Sequence, residues 1–376
     1  MKLIKSVSGI RGIFNKSLFL EDIIAHTYAF SKIQSSKYPL LIARDSRVSG
    51  KEISDAIINF LVNNNRDIID CGIIPTPTAQ FIVDKFKISG AIVVTASHNP
   101  MEWNGMKFID SDGTFLSPLK NNELFELANS YKTESNYNTN KCNISKFTES
   151  IDTHINNVCN LSFINLKKIK NKNFKIVLDT INGATCIGFK KLLEKLNCEI
   201  IHINSEPNGI FKRNPEPKTE NLTEVAEKVL EHSADLGFVT DPDGDRLAMI
   251  DNNGKIIIEE NTLAICVKEF LSQKGKVKGN IECDHINISS EVLFSSASAE
   301  LNRDGKVQIS AVAEKLKKVT DNIPDGIRWI LRVDGHTDSL PLISNSQYKD
   351  NWELSQARAL AVVKFLIEEE EFPADK

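Results

Sequence analysis

The chain reads as an α/β protein, and three observations carry that reading. Strand-like and helix-like segments alternate through the first 120 residues and again over 174–239, the pattern that builds parallel α/β layers. Residues 89–95, SGAIVVT, form an unbroken apolar run of the kind found in strands buried on both faces. The length, 376 residues, makes two or three domains at ~150 residues each, long enough for well-buried cores.

The elements follow in order. YPLLIA at 38–43 predicts a short buried strand, and GKEISDAIINFLV at 50–62 has helical apolar spacing. The run at 89–95 is the next strand. Residues 129–145, rich in Asn, Ser, Thr and Lys and poor in apolar side chains, predict a linker. A second α/β unit then runs strand 174–179, helix 183–196, strand 199–203, helix 222–231, strand 235–239. Residues 255–275 open what reads as a further unit. The remainder reads strand 291–294, helix 304–319, strand 329–333, loop, helix 351–368, with no tandem repeat.

Composition narrows the function classes. With 46 basic and 50 acidic residues the net charge is −4, which argues against a broad basic nucleic-acid footprint. At 41% hydrophobic and 26% charged, the chain is neither disordered nor collagen-like. No apolar run approaches the ~18 residues of a membrane span, so none is expected. MKLIKSVSGIRG lacks the apolar core of a secretory signal. The seven cysteines are scattered and contain no C-x-x-C, the pattern of reduced thiols, and a cytoplasmic location is expected. Up to residue 280 there are 35 basic and 33 acidic residues, and from 281 onward 11 and 17. That swing in charge suggests a boundary near 280.

Two motifs stand directly after apolar strands. Thr95-Ala96-Ser97-His98-Asn99-Pro100 puts a serine at a strand's C-terminal end, where open α/β sheets place ligands. A polar turn explains the same residues equally well. Asp241-Pro242-Asp243-Gly244-Asp245-Arg246 sets three carboxylates at alternate positions, able to converge on one hard cation such as Mg²⁺. An EF-hand fails, because Arg246 stands where glycine is required and Asn252 where glutamate is. A solvated acidic turn is disfavoured, since adjacent carboxylates without a cation repel and their pKa values rise. Serine and cation together suit phosphoryl transfer. Arg11, Arg44 and Arg47 are candidate phosphate contacts. Lys107 becomes a proton carrier if its pKa is depressed. In isolation each of these four reads as an ordinary surface charge.

In their order, S-G-I-R-G, A-R-D-S-R, T-A-S-H-N-P, W-N-G-M-K and D-P-D-G-D-R, the motifs of residues 1–280 resemble the α-D-phosphohexomutases. I-K-S-V-S-G-I-R-G, E-W-N-G-M-K-F and E-P-N-G-I-F-K-R-N-P-E-P are most similar to the phosphoglucosamine mutase branch. The resemblance implies a phosphosugar mutase acting on glucosamine 6-phosphate and glucosamine 1-phosphate. It implies Ser97 as the phosphoserine, with Mg²⁺ held by Asp241, Asp243, Asp245 and a Ser97 phosphate oxygen. Lys107 becomes the general acid/base, His98 and Arg11 join it in the catalytic set, and Arg44, Arg47 and Arg246 bind substrate or phosphate. Members also carry a third domain with a sugar-reading loop and a fourth with a phosphate-gripping loop. Neither loop is found here, so impaired turnover is expected. The implied domains are 1–135 and 146–252, with a fragment of a third at 253–280.

Residues 288–376 resemble the OmpA-like peptidoglycan-binding module through Arg332-Val333-Asp334-Gly335-His336-Thr337-Asp338 and Asn351-Trp352-Glu353-Leu354-Ser355-Gln356-Ala357-Arg358-Ala359. An α+β module is implied, its last strand missing, with Asp338 and Arg358 clasping the diaminopimelate of a stem peptide. One carboxylate and one guanidinium suit a zwitterionic ligand. Without that resemblance, Asp338 reads as a turn cap and Arg358 as one charge on an amphipathic helix. The module works outside the cytoplasm, which pulls against a chain with no export signal. Two further readings stand beside the mutase: a peptidoglycan-binding protein, or a non-functional fusion of two partial genes.

Overall fold

In the computed structural model, residues 2–6, 8–132, 142–257, 259–273, 293–295, 298–320, 333, 348 and 350–373 are described. The chain divides into two units, 1–263 and 264–376.

The first unit opens with β1 (Ile4–Ser6), β2 (Gly9–Ile13), α1 (Leu20–Ile33), β3 (Leu40–Arg44), α2 (Gly50–Asn63), β4 (Ile68–Ile73) and α3 (Thr76–Lys85). There follow β5 (Gly90–Val94), β6 (Trp103–Ile109), α4 (Pro118–Ser130) and β7 (Ile144–Lys146). These strands form one sheet in the order β1-β2-β6-β5-β3-β4-β7. Strands β5, β3, β4 and β7 are parallel, as the alternation predicts. β6, however, runs antiparallel between β2 and β5. The reason is length: residues 95–102 are too few for the crossover that a parallel partner needs, so the chain turns straight back. The predicted linker also ends differently, because Ile144–Lys146 pairs with β4 and extends the sheet.

The apolar runs are continuous because both faces are covered. Leu40, Ile42, Ile92 and Val94 pack on one side with Ile23, Phe30, Ile53 and Ile57 of α1 and α2. Leu41, Ala43, Ala91 and Val93 pack on the other with Ala79, Ile82 and Val83 of α3. Truncating one such isoleucine to alanine costs about 2–5 kcal/mol.

The same unit continues with α5 (Ser150–Cys159), α6 (Leu166–Lys170), β8 (Lys175–Asp179), α7 (Thr185–Lys195), β9 (Glu199–Ile203) and α8 (Thr223–Glu231). It proceeds through β10 (Leu236–Thr240), β11 (Leu247–Asp251) and β12 (Ile256–Ile257). The second sheet has the order β12-β11-β10-β8-β9, with β10, β8 and β9 parallel. On α8, Val225, Ala226 and Val229 bury one stripe against Val177, Val239 and Ile250. β11 returns antiparallel after the six residues 241–246, repeating the device between β5 and β6. Both motif loops therefore sit at the C-terminal end of a parallel strand, pinned on the far side by an antiparallel return.

α9 (Glu259–Gln273) spans the division between the units. In the second unit, α10 (Arg303–Thr320) and α11 (Asn351–Glu368) occupy the predicted helical positions. The Asp350 carboxylate caps α11 by accepting the Glu353 N–H at 2.8 Å. Phe294 bridges Leu301, and Leu293, Phe294, Ile309, Ala313, Val362 and Leu366 form the core. Apart from Val333, the strand expected at 329–333 lies outside the described residues. The cysteines among the described residues are free thiols. No helix among them is long and apolar enough to cross a membrane.

Candidate active site

Ser97 stands three residues past the end of β5, 8% exposed, with a left-handed φ of 49°. Its N–H donates to Thr95 Oγ1 at 2.9 Å, and Thr95 Oγ1–H donates to Asp45 Oδ2 at 2.7 Å. Its own hydroxyl donates to Asp241 Oδ2 at 3.0 Å and lies 3.3 Å from His98 Nδ1. The two motifs, 144 residues apart in the chain, thus meet directly. Burial, together with the Arg246 and Arg11 charges, pushes His98 down to about 4, so its ring is neutral at pH 7.

Lys107 is carried in by β6, where it lies opposite Gly9 of β2 and Val93 of β5. Gly9 has φ 129°, and a Cβ there would stand 1.9 Å from the Met106 carbonyl oxygen, so only glycine allows this pairing. The Lys107 ammonium reaches Asp243 Oδ2 at 2.6 Å and Asp245 Oδ2 at 2.5 Å. Burial disfavours its charge, but the two carboxylates outweigh burial and hold the pKa above its ordinary value. Among the protein's own charges the shift is opposite in direction to the depressed value that proton carriage was expected to need.

The carboxylates fit a hard cation. One oxygen from each of Asp241, Asp243 and Asp245 lies within 4.8 Å of the others. Asp241 and Asp243 are fully buried, whereas the Asp245 side chain is 26% exposed at the cleft mouth. Burial and the neighbouring Asp243 and Asp245 charges push Asp241 well above the carboxylate range. Burial opposes the Asp243 charge too, but the Lys107 ammonium and the Thr76 hydroxyl hold it below that range. Asp243 Oδ1 is buried without a hydrogen-bond partner, an acceptor of the kind a cation satisfies.

The arginines separate into two groups. Arg11 and Arg246 line the cleft with Ser97, His98, Lys107 and Phe115. Arg11 Nη1 donates to Asn99 Oδ1 at 3.0 Å, and Arg246 is steadied by Glu259 at 3.1 Å and Glu216 at 3.7 Å. Arg47 was expected to bind phosphate, and the structure corrects this. It is 1% exposed, and all five of its guanidinium N–H groups are directed to protein acceptors. Arg44, half-buried at the end of β3, donates from Nη1 to the Asp45 carbonyl at 3.1 Å.

Sequence reading missed Thr76, whose N–H donates to the Asp243 carbonyl at 2.8 Å and whose hydroxyl donates to Asp243 Oδ2 at 2.5 Å. Its signal was position, since it opens α3 just beyond the C-terminal end of β4. Asp45, Thr95 and Asn99 were missed as partners because their role is visible only through the contacts they make.

In the second unit Arg358 is 8% exposed, with Nε donating to the Ser298 carbonyl at 2.9 Å and Nη2 to that of Ser295 at 3.3 Å. Asp338 lies outside the described residues.

Comparison with known proteins shows the family of the chain. Residues 2–135 match the family described as phosphoglucomutase/phosphomannomutase, alpha/beta/alpha domain I, and residues 152–254 match its domain II. Residues 293–376 match the OmpA family. The chain is similar to the phosphoglucosamine mutase of Prochlorococcus marinus (strain AS9601), 32% identical over 376 residues, covering 94% of this chain and 81% of that one. It is 34% identical to the phosphoglucomutase/phosphomannomutase of Thermococcus kodakarensis, over 71% of this chain and 59% of the relative's length. Among solved structures, a phosphoglucomutase/phosphomannomutase family protein from Burkholderia thailandensis aligns with a TM-score of 0.60 at 26% identity. That alignment covers 72% of this chain and 60% of the other.

Proposed function

Because the chain belongs to the phosphoglucomutase/phosphomannomutase family, we propose that residues 1–263 carry phosphoryl transfer between Ser97 and a hexose phosphate. The observation that carries this is the 3.0 Å contact between Ser97 Oγ and Asp241, which joins a phosphate acceptor to a carboxylate cluster. When bound, Mg²⁺ would be held by Asp241, Asp243 and Asp245 and would offset phosphoryl charge.

The protein's own groups supply the rest. A bond forms from Ser97 Oγ to phosphorus as the bond from phosphorus to the sugar oxygen breaks. The hydroxyl proton leaves toward Asp241 Oδ2 or the neutral His98 Nδ1, the two groups that face it. Lys107, in the same cleft, would give a proton to the departing sugar oxygen once its partners Asp243 and Asp245, which hold its pKa up, are drawn to a cation, while Arg11 and Arg246 attract the phosphate. Run in reverse, the same step passes the phosphate of phosphorylated Ser97 to a free hydroxyl of a sugar monophosphate, which gives a bisphosphate and the free Ser97 hydroxyl. Return of that bisphosphate's other phosphate to Ser97 then completes an isomerisation. The names of the relatives and the motif wording favour glucosamine 6-phosphate and glucosamine 1-phosphate as the pair.

A coupled assay with those two sugar phosphates, a hexose bisphosphate primer and Mg²⁺ tests the reading. Turnover that is absent in Ser97→Ala supports it, and equal turnover in that variant refutes it. The OmpA-family match favours a second role, in which the C-terminal unit binds a peptidoglycan stem peptide.

A further inference from the structure

We propose that Arg47 is a positioning residue for Ser97, a buried clamp that holds the loop after β5 in the conformation that aims the hydroxyl at Asp241. The inference rests on the phosphoryl-transfer reading and deepens it.

The guanidinium is among the largest fully buried side chains of the protein, and a buried cation is tolerated only when its donors are matched. Here they are. Nε donates to Asp45 Oδ2 at 3.0 Å, Nη1 to the carbonyls of Pro100 at 2.5 Å and Trp103 at 2.9 Å, and Nη2 to those of Ser97 at 2.6 Å and Asn99 at 2.7 Å. Four of five donors therefore grip residues of the loop after β5 and the first residue of β6, and no donor is left for a phosphate. Lysine cannot reproduce this, having three donors and no planar fork.

What the clamp resists is local strain. Ser97 has a left-handed φ, which a non-glycine residue keeps only where its surroundings over-determine it. Arg47 grips the carbonyl of that same residue, while the Asp45–Thr95 pair fixes its N–H.

Arg47 also meets the second sheet's loops. The Phe211 ring centroid lies 5.0 Å from the guanidinium carbon, and Ser46 Oγ donates to the Asn182 carbonyl at 2.7 Å. Gly209, at φ 72°, packs so closely that a Cβ would stand 2.4 Å from the Ser46 carbonyl oxygen. The clamp therefore sets the Ser97 loop in register with the part of the chain that carries Asp241.

The test uses the full chain and Arg47→Lys, which keeps a cation beside Asp45. Phosphorylation of Ser97 by a hexose 1,6-bisphosphate is followed by intact mass, with melting temperature measured alongside. The rate constant per folded molecule should fall roughly tenfold or more, the scale of a misplaced reacting group, with half-saturation unchanged. A merely structural role would lower the melting temperature and the labelled fraction and leave that rate constant intact, overturning the proposal. Should Arg47→Lys not fold, Phe211→Leu replaces it, with a fall of roughly two- to fivefold, the worth of a cation–π contact.

Amide exchange of Ser97, Asn99 and Trp103, read without substrate, gives a second arm. Faster exchange in the variant supports the clamp, and unchanged exchange overturns it. A wild-type chain that takes no phosphate while the variant's exchange accelerates refutes the phosphoryl-transfer reading and supports the clamp.

Discussion

Replacing Lys107 with methionine removes the ammonium placed against both Asp243 and Asp245. The Lys107 side chain is 9% exposed, that of Asp243 0% and that of Asp245 26%, so the pair is screened far less than a surface ion pair. Deleting one partner of such a pair costs about 3–5 kcal/mol, because the remaining charge stays buried and uncompensated. At about 2–4 °C per kcal/mol for a unit of this size, the melting temperature in EDTA should drop by roughly 6–20 °C.

Mg²⁺ should then repair part of the loss. A cation at a hundred times its Kd stabilises wild type by about 2.7 kcal/mol, and the variant should gain more, since no ammonium competes for Asp243. Asp243→Asn should lose most of the gain. Calorimetric melts of the three proteins, in EDTA and across a Mg²⁺ titration, measure every arm. A Lys107→Met melt within about 2 °C of wild type in EDTA would refute the buried-pair argument. Equal Mg²⁺ gains in wild type and Lys107→Met would refute the claim that ammonium and cation share the same carboxylates.

Acid should destabilise the first unit through histidines whose protonation is disfavoured by burial, His26 fully and His154 and His202 in part. Burial holds His26 below its ordinary 6.5, despite its hydrogen bond to the Asp22 carbonyl, and His154 and His202 shift the same way. The unfolded chain therefore takes the proton first: the stabilisation is complete above 6.5 and is lost as pH falls through the folded values. Melting temperature should fall between pH 7 and 5, less steeply in His26→Leu, and an unchanged slope in that variant would contradict the assignment. Calorimetric titration with diaminopimelate muropeptides should show weak binding or none, with any binding lost in Asp338→Ala and Arg358→Ala. Binding that survives both substitutions would remove the clasp.

The buried strands were legible because covering both faces leaves a local trace: Leu40 to Ala43 and Ala91 to Val94 are apolar at every position. The helix at 351–368 was legible from spacing because only one face is covered, which sets the buried Leu354, Arg358, Val362 and Leu366 four residues apart. β6 was not, because Trp103–Ile109 reads as a motif with a charge at its centre, and its direction depends on the length of the preceding loop. Ser97, Asp241, Asp243 and Asp245 stood out because their types and spacing point to chemistry. Arg47 stood out for the wrong reason. Its charge suggested a phosphate ligand, whereas its role depends on burial and on carbonyls up to 56 residues away, which no local pattern encodes. Thr76 was silent, since a threonine opening a helix is ordinary until Asp243 is placed beside it.

The central claim is that Ser97 accepts a phosphoryl group. The most direct measurement is peptide mass spectrometry of the chain after incubation with a hexose 1,6-bisphosphate and Mg²⁺. A single phosphate should map to Ser97, be absent from Ser97→Ala and be greatly reduced in Asp243→Asn. An unphosphorylated Ser97, or a phosphate that persists in Ser97→Ala, would contradict the account.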